Sequence, residues 1–381
     1  MRIKRLLSLC LLRVALGQTT AQTLGDVLTG QSATLSTLNT WLESQQLVYA
    51  MLSNAQGVTM LAPSNNALSQ LTNTALATQL GEDANLLTAF LSYHVLNGTY
   101  SISDLSSGLT TTSPVPTLLD IAAYSNVTGG QRVAARSQNG AVTLISGNGA
   151  QSNIESSDFS YVGGTLHIID SVLTIPAPLS TSLITAGLTA AVGAMRRASV
   201  ESTLNTASDL TIFAPNNAAF NAIGSLVADM TDDQLSAVLS YHVVPGRVLY
   251  SELVAGGGRA GTAQGANVTF RAEDGGVFVN SARVVQADLL VGNGVVHVVD
   301  GVLNPANSTA TPDPTASTQE PAFNGATSTD GGVPFTSAVT LSGTPTITVS
   351  GIPVSANVAP MRTAAVGVAA LVGGAAVLAG W

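Results

Sequence analysis

Leu166-His167-Ile168-Ile169-Asp170-Ser171-Val172-Leu173 returns as Val296-His297-Val298-Val299-Asp300-Gly301-Val302-Leu303. Each stretch is nearly all apolar and rich in β-branched residues apart from its His and Asp, as expected of a central strand buried on both faces. Two further blocks recur upstream in the same order. Thr59-Met60-Leu61-Ala62-Pro63-Ser64-Asn65 matches Thr211-Ile212-Phe213-Ala214-Pro215-Asn216-Asn217, and Tyr93-His94 matches Tyr241-His242. All 4 histidines of the chain therefore sit in matched pairs. The spacing between copies falls from 152 through 148 to 130 along the chain, so the first copy carries extra residues somewhere in 100–160. Each copy is long enough for a core of its own, which makes these tandem domains and not solenoid units.

Within a copy, the apolar run Val58–Leu61 or Leu210–Phe213 closes on Ala-Pro and reads as a buried strand leading into a helix, with Ser64 or Asn216 as N-cap. Thr231-Asp232-Asp233-Gln234 has the form of a capping box and starts another helix. Along it Leu235, Val238, Leu239 and His242 fall at i, i+3, i+4 and i+7, and Leu87, Phe90, Leu91 and His94 repeat the pattern. Both His94 and His242 are thereby placed on an apolar face. A buried imidazole needs a hydrogen bond at each usable nitrogen, so the expected role is structural. His297 and Asp300 are three apart on a strand and point to opposite faces, as do His167 and Asp170, so neither pair makes one site. Hairpins are expected around Asp274-Gly275-Gly276, joining Val268–Arg271 to Val277–Asn280, and around Asn139-Gly140, joining Gln131–Arg136 to Ala141–Ile145. Helices come early and strands late in each copy, which favours an α+β class.

The ends differ from the repeats. Residues 1–17 read as a secretory signal peptide, with Arg2, Lys4 and Arg5 before the apolar run Leu6–Leu16 and Ala15-Leu16-Gly17 at the cleavage position. Residues 305–355 are dominated by Thr, Ser, Pro, Ala and Gly and are expected to form a disordered, O-glycosylated stalk. Residues 356–381 carry no charge after Arg362 and read as a glycosylphosphatidylinositol attachment signal, with Ser355 as the attachment residue; a transmembrane helix is the alternative. Asn97, Asn126, Asn267 and Asn307 head N-glycosylation sequons. Without the two end segments the chain keeps eight arginines against 22 acidic residues, a net charge of −14, and no lysine. Such a surface repels phosphate backbones and excludes nucleic acid as a partner. Cys10, the only cysteine, lies in the signal peptide, so no disulfide is expected and stability rests on two hydrophobic cores. The expected route is secretory, to the outer face of the plasma membrane or the cell wall, with a secreted or vacuolar protein as the alternative.

Taken together, the Thr-x-x-Ala-Pro-x-Asn, Tyr-His and x-His-x-x-Asp-x-Val-Leu blocks resemble the fasciclin-type domain, twice, over 22–175 and 178–304. The resemblance implies a wedge of β-strands packed with a group of α-helices. It also implies a secreted or surface-held module of cell adhesion and matrix organisation, often glycolipid-anchored in fungi and plants. In animal members the Tyr-His block and an Asp-Ile pair before the last block are implicated in receptor binding. Carried over, these are Tyr93 and His94, Tyr241 and His242, Asp158-Phe159 and Asp288-Leu289, with the isoleucine replaced in both copies. The acid usual after Asn in the first block is Asn66 or Ala218 here, and Asn97 stands where the second copy has Pro245. The expected function is non-enzymatic adhesion or wall and matrix organisation, without a cofactor, through cell-surface or matrix proteins and glycans and with a lipid anchor in the membrane. The alternatives are a structural wall glycoprotein without a specific ligand, and a metal- or acid/base-dependent enzyme built on the His and Asp residues. Against the enzyme, histidines are few and no His-Glu-x-x-His or Gly-x-Ser-x-Gly occurs. Gly256–Gly261 fits Gly-x-Gly-x-x-Gly but leads into a strand pattern, not the helix that dinucleotide binding requires.

Overall fold

The computed structural model describes residues 22–340 apart from 72–73, 107–112, 139, 330–331 and 338; the expected signal peptide, Ser355 and the expected anchor signal lie outside the described residues. The first unit opens with helices Leu24–Gly30, Ser32–Ser44 and Gln46–Asn54. Thr23 starts the first of them through a capping box with Asp26. Leu28, Leu35, Leu38, Trp41 and Leu42 on their inner faces enter the core. Strand β1 (Val58–Pro63) is buried along its length and ends at Ser64, whose side chain caps helix Asn65–Ser69. Helices Ala75–Glu82 and Ala84–Tyr93 follow, then β2 (Val95–Asn97) and a short helix Ile102–Ser106. The remaining strands are β3 (Ser113–Pro116), β4 (Arg132–Gln138), β5 (Ala141–Ile145), β6 (Gln151–Tyr161) and β7 (Gly164–Ile169).

The second unit repeats the plan. Helices Leu179–Thr185, Thr189–Arg197 and Glu201–Thr206 lead to β8 (Leu210–Pro215). Helices Asn217–Ala222, Gly224–Val227 and Asp232–Tyr241 precede β9 (Val243–Val244), and helix Ser251–Ala255 follows it. The expected capping box of Thr231 and Gln234 is present. The last strands are β10 (Gly258–Gly261), β11 (Asn267–Glu273), β12 (Gly276–Val279), β13 (Ala282–Val291) and β14 (Gly294–Val299). Both expected hairpins form, as β4 with β5 and β11 with β12.

The two sheets have one strand order, β2-β1-β7-β6-β5-β4-β3 and β9-β8-β14-β13-β12-β11-β10. In each, the His-containing block pairs parallel with the Ala-Pro block, Leu61 opposite His167 and Phe213 opposite His297. The long stretch between those blocks permits that parallel pairing. Gly164 and Gly294 open the paired strands; a Cβ at either would lie 1.9 Å from the carbonyl oxygen of Val58 or Leu210, so only glycine fits. Each unit is thus a sheet wedge with helices packed against it, the expected α+β class.

The connections place the insertion inside the expected 100–160 and differ from expectation in the final segment. The extra residues of the first copy fall chiefly in the loop between β3 and β4, 117–131, against 262–266 in the second copy, and in the Gly147–Gly149 turn before β6. The run expected to be an unpacked stalk, 305–355, holds a 3-10 turn at Pro305–Asn307 and otherwise coil among its described residues. It is packed in part, because Phe323, Ala326, Val333, Phe335 and Val339 lie against the helical core of the second domain. Average composition concealed these widely spaced anchors.

Candidate functional site

His242 is the C-cap of helix Asp232–Tyr241, and His94 holds the same place on Ala84–Tyr93. His242 Nδ1 donates to the Val238 carbonyl at 2.8 Å, and Nε2 accepts from Leu303 N–H at 2.9 Å. His94 makes the same two bonds, to the Phe90 carbonyl at 2.8 Å and from Leu173 N–H at 2.9 Å. Accepting at Nε2 requires the neutral ring with its proton on Nδ1. Burial pushes both imidazoles down to about 4. Each histidine therefore bolts a helix end to the residue that closes the third sequence block, which is why the two blocks recur together. The neighbouring Tyr93 and Tyr241, fully buried, donate to the carbonyls of Arg132 and Asn267 at the start of β4 and β11, at 2.9 Å in each case.

The strand histidines form a second network. His167 Nε2 donates to the Tyr100 carbonyl at 2.8 Å, and Nδ1 accepts from Asp158 N–H at 3.1 Å. His297 repeats this with the Leu249 carbonyl at 2.7 Å and Asp288 N–H at 3.4 Å. Asp158 and Asp288 sit in the left-handed region, φ 64° and 55°, at a bulge where the β6–β7 and β13–β14 registers shift. Their carboxylates hold the start of the short helix that follows β2 or β9: Asp158 Oδ1 accepts from Ile102 N–H at 2.9 Å and Asp288 Oδ1 from Ser251 N–H at 2.8 Å. Ser251 Oγ also donates to Asp288 Oδ2. Ser251, Asp288 and His297 are adjacent, yet both ring nitrogens of His297 already bond backbone groups, so they are not arranged as a nucleophile with its base. Burial lowers the pKa of both histidines.

Asp170 and Asp300 lie beyond the strand ends, away from the imidazoles. Asp170 Oδ1 accepts from Asn153 N–H at 2.8 Å and Asp300 Oδ1 from Arg283 N–H at 2.7 Å, tying β7 to β6 and β14 to β13. Burial raises the pKa of Asp300. The ten residues singled out by sequence thus divide into the same three bonded sets in each domain. Asp288 and Leu289, the pair aligned with a receptor motif, are 6% and 3% exposed and face inward. A cleft of about 200 Å³ lies beside His297, lined by Ser251, Arg283 and Val284 among others. Among the described residues no three His, Cys, Asp or Glu side chains group to hold a metal ion.

Two motif positions had roles that spacing did not reveal. Thr59 and Thr211 each stitch the turn after the Tyr-His block, accepting from Tyr100 N–H or Leu249 N–H and donating to the Gly98 or Arg247 carbonyl. Asn65 and Asn217 accept from Thr37 N–H and Ala190 N–H on the opening helices.

The first-copy insertion builds the joint between the domains. Thr128 donates from N–H and Oγ1 to Asp209 at 2.7 and 2.6 Å. Asn126 N–H reaches the Gly292 carbonyl at 2.7 Å, its Nδ2 reaches the Thr206 carbonyl at 2.9 Å, and Gln131 Nε2 reaches the Val291 carbonyl at 3.1 Å. The sequon residue Asn126 is thereby part of the joint. Asn97 and Asn267 are exposed on their own domains, and Asn307 bonds the Ala322 carbonyl.

Comparison with known proteins agrees with this duplicated plan. The Fasciclin domain family model matches residues 33–176 and 186–305. The chain is 34% identical over 294 residues to a fasciclin-like arabinogalactan protein of Arthroderma benhamiae, covering 77% of this chain and 69% of that one. It is 31% identical over 296 residues to the fasciclin-like arabinogalactan protein CTB11 of Cercospora beticola, covering 76% and 78%. Among solved structures, a FAS1 domain pair from the insect cell adhesion molecule fasciclin I aligns at 17% identity over 72% of this chain and 97% of that one, with a TM-score of 0.34. With its three motifs bonded to one another in the same way twice, and with family matches over both units, the chain belongs to the fasciclin family.

Proposed function

We propose that the protein is a surface glycoprotein that acts without catalysis in adhesion or in organising the wall matrix, binding cell-surface or matrix proteins and glycans. The observation that carries this reading is the internal bonding of the recurring motif groups: their polar atoms bond within each domain and hold its shape, which leaves recognition to the rest of the surface. The names of the fungal relatives, the exposed sequons Asn97 and Asn267, and the acidic surface support it. Delivery is through the secretory pathway with a lipid anchor, the role proposed for residues 356–381. A pull-down and glycan-array screen with the purified protein is expected to show saturable binding to a wall polysaccharide or surface protein. Absence of any saturable binding would favour the purely structural glycoprotein. Release of the protein from intact cells by a phosphatidylinositol-specific phospholipase tests the anchor.

A further inference from the structure

Beyond Leu303 the chain stays on the second domain. Asn304 and Asn307 both donate through Nδ2 to the Ala322 carbonyl, at 3.0 and 3.2 Å. The segment that follows then crosses helices Thr189–Arg197, Asn217–Ala222 and Gly224–Val227. Ser225 N–H donates to the Thr327 carbonyl at 3.1 Å, and Thr327 N–H donates back to Ser225 Oγ at 2.9 Å. Phe335 sets its ring edge to face with Phe220, centroids 5.9 Å apart, and the Arg197 guanidinium lies 5.6 Å from its centroid.

Two glycines admit this strap. A Cβ on Gly193 would lie 1.9 Å from the Phe335 carbonyl oxygen, and one on Gly224 would lie 2.7 Å from Thr329 Oγ1. The first domain lacks the feature. Asn65 and Asn217 bond Thr37 and Ala190 alike, which aligns Thr40 with Gly193 and Ser44 with Arg197. The first domain thus carries an exposed threonine where the second has its groove, and no guanidinium beside it. The groove belongs to one copy of the duplication and matches one segment of the chain.

We propose that this groove is a docking site for the strap of a second copy of the chain, so that copies pair by exchanging straps. Only non-covalent contacts and the Pro- and Thr-containing connection 305–321 join the strap to its own domain, and a neighbour's strap makes the same contacts without building a new surface. Tethering copies on one surface raises their effective concentration and favours exchange. The inference deepens the adhesion reading and rests on it for its cellular setting, but not for the docking itself.

The test uses two full-length variants. Phe335→Ala keeps the groove and removes the anchor of the strap; Gly193→Leu keeps the strap and closes the groove. Each alone is expected to be monomeric by multi-angle light scattering, and their mixture to form a heterodimer. A synthetic peptide of residues 321–339 is expected to bind Phe335→Ala saturably and the Phe335→Ala/Gly193→Leu double variant at least tenfold more weakly. Gly224→Val, which meets Thr329, replaces Gly193→Leu if that variant does not fold. A mixture that stays monomeric overturns the exchange, and a peptide that does not bind folded Phe335→Ala overturns the docking site. Cell attachment is scored separately: its loss of dependence on the protein would defeat the adhesion reading and leave the mixing result standing.

Discussion

Thr128 of the first domain donates its hydroxyl to Asp209 Oδ2 of the second at 2.6 Å, while its backbone N–H reaches the other carboxylate oxygen at 2.7 Å. A carboxylate held by two donors is a stronger tie than a neutral pair. Asp209→Ala is therefore expected to cost about 1–3 kcal/mol at the joint. The domains should then tumble more independently, seen as a larger radius of gyration in solution scattering and a split thermal transition. An unchanged scattering profile would show that the Asn126 and Gln131 bonds hold the joint alone.

The buried histidines set an acid limit. His94 and His242 are held near 4 in the folded protein against 6.5 when free, so the unfolded chain binds more protons between those values. Their stabilisation is fully present above pH 6.5 and is lost as the pH falls towards 4, about 3 kcal/mol for each ring. Calorimetry at stepped pH should show Tm falling across this window. His242→Gln should start from a lower Tm but flatten the slope of the second domain's transition.

Asp288 and Asp158 do the same work in different surroundings. Asp288 is buried and also takes the Ser251 hydroxyl, whereas Asp158 is exposed. Asp288→Ala is expected to cost about 1–3 kcal/mol, and Asp158→Ala less because water replaces the lost partner. Urea midpoints can be separated by domain, since Trp41 fluorescence reports the first domain.

Tyr241→Phe should weaken the second domain. The Tyr241 hydroxyl both donates to the Asn267 carbonyl and accepts from Asn280 Nδ2 at 2.8 Å, so its removal strands the amide of the buried Asn280. A loss of about 1–2 kcal/mol is expected for Tyr241→Phe. Faster amide exchange confined to residues 267–280 would locate the effect.

Much of each domain was legible in the sequence because its signals are local. Ser64, Asn216 and Thr231 cap helices within three residues of themselves, and the apolar runs around His167 and His297 declare buried strands without reference to a partner. The burial of His94 and His242 followed from helical spacing, and the separation of His297 from Asp300 from strand alternation. The partners did not follow. Leu303 lies 61 residues from His242, and the register shift that brings Asp288 under His297 leaves no mark in a period-two pattern.

The sequence by itself determined that one domain is built twice, where the strands and helices of its recurring blocks begin, and that an insertion lengthens the first copy. Only the tertiary structure decided what the insertion and the final segment do. Thr128 and Asp209 are 81 residues apart in different domains, and Phe335 meets Phe220 across a long coil. Capping and periodicity are written in neighbouring residues, whereas such contacts between distant residues exist only once two separately folded surfaces meet.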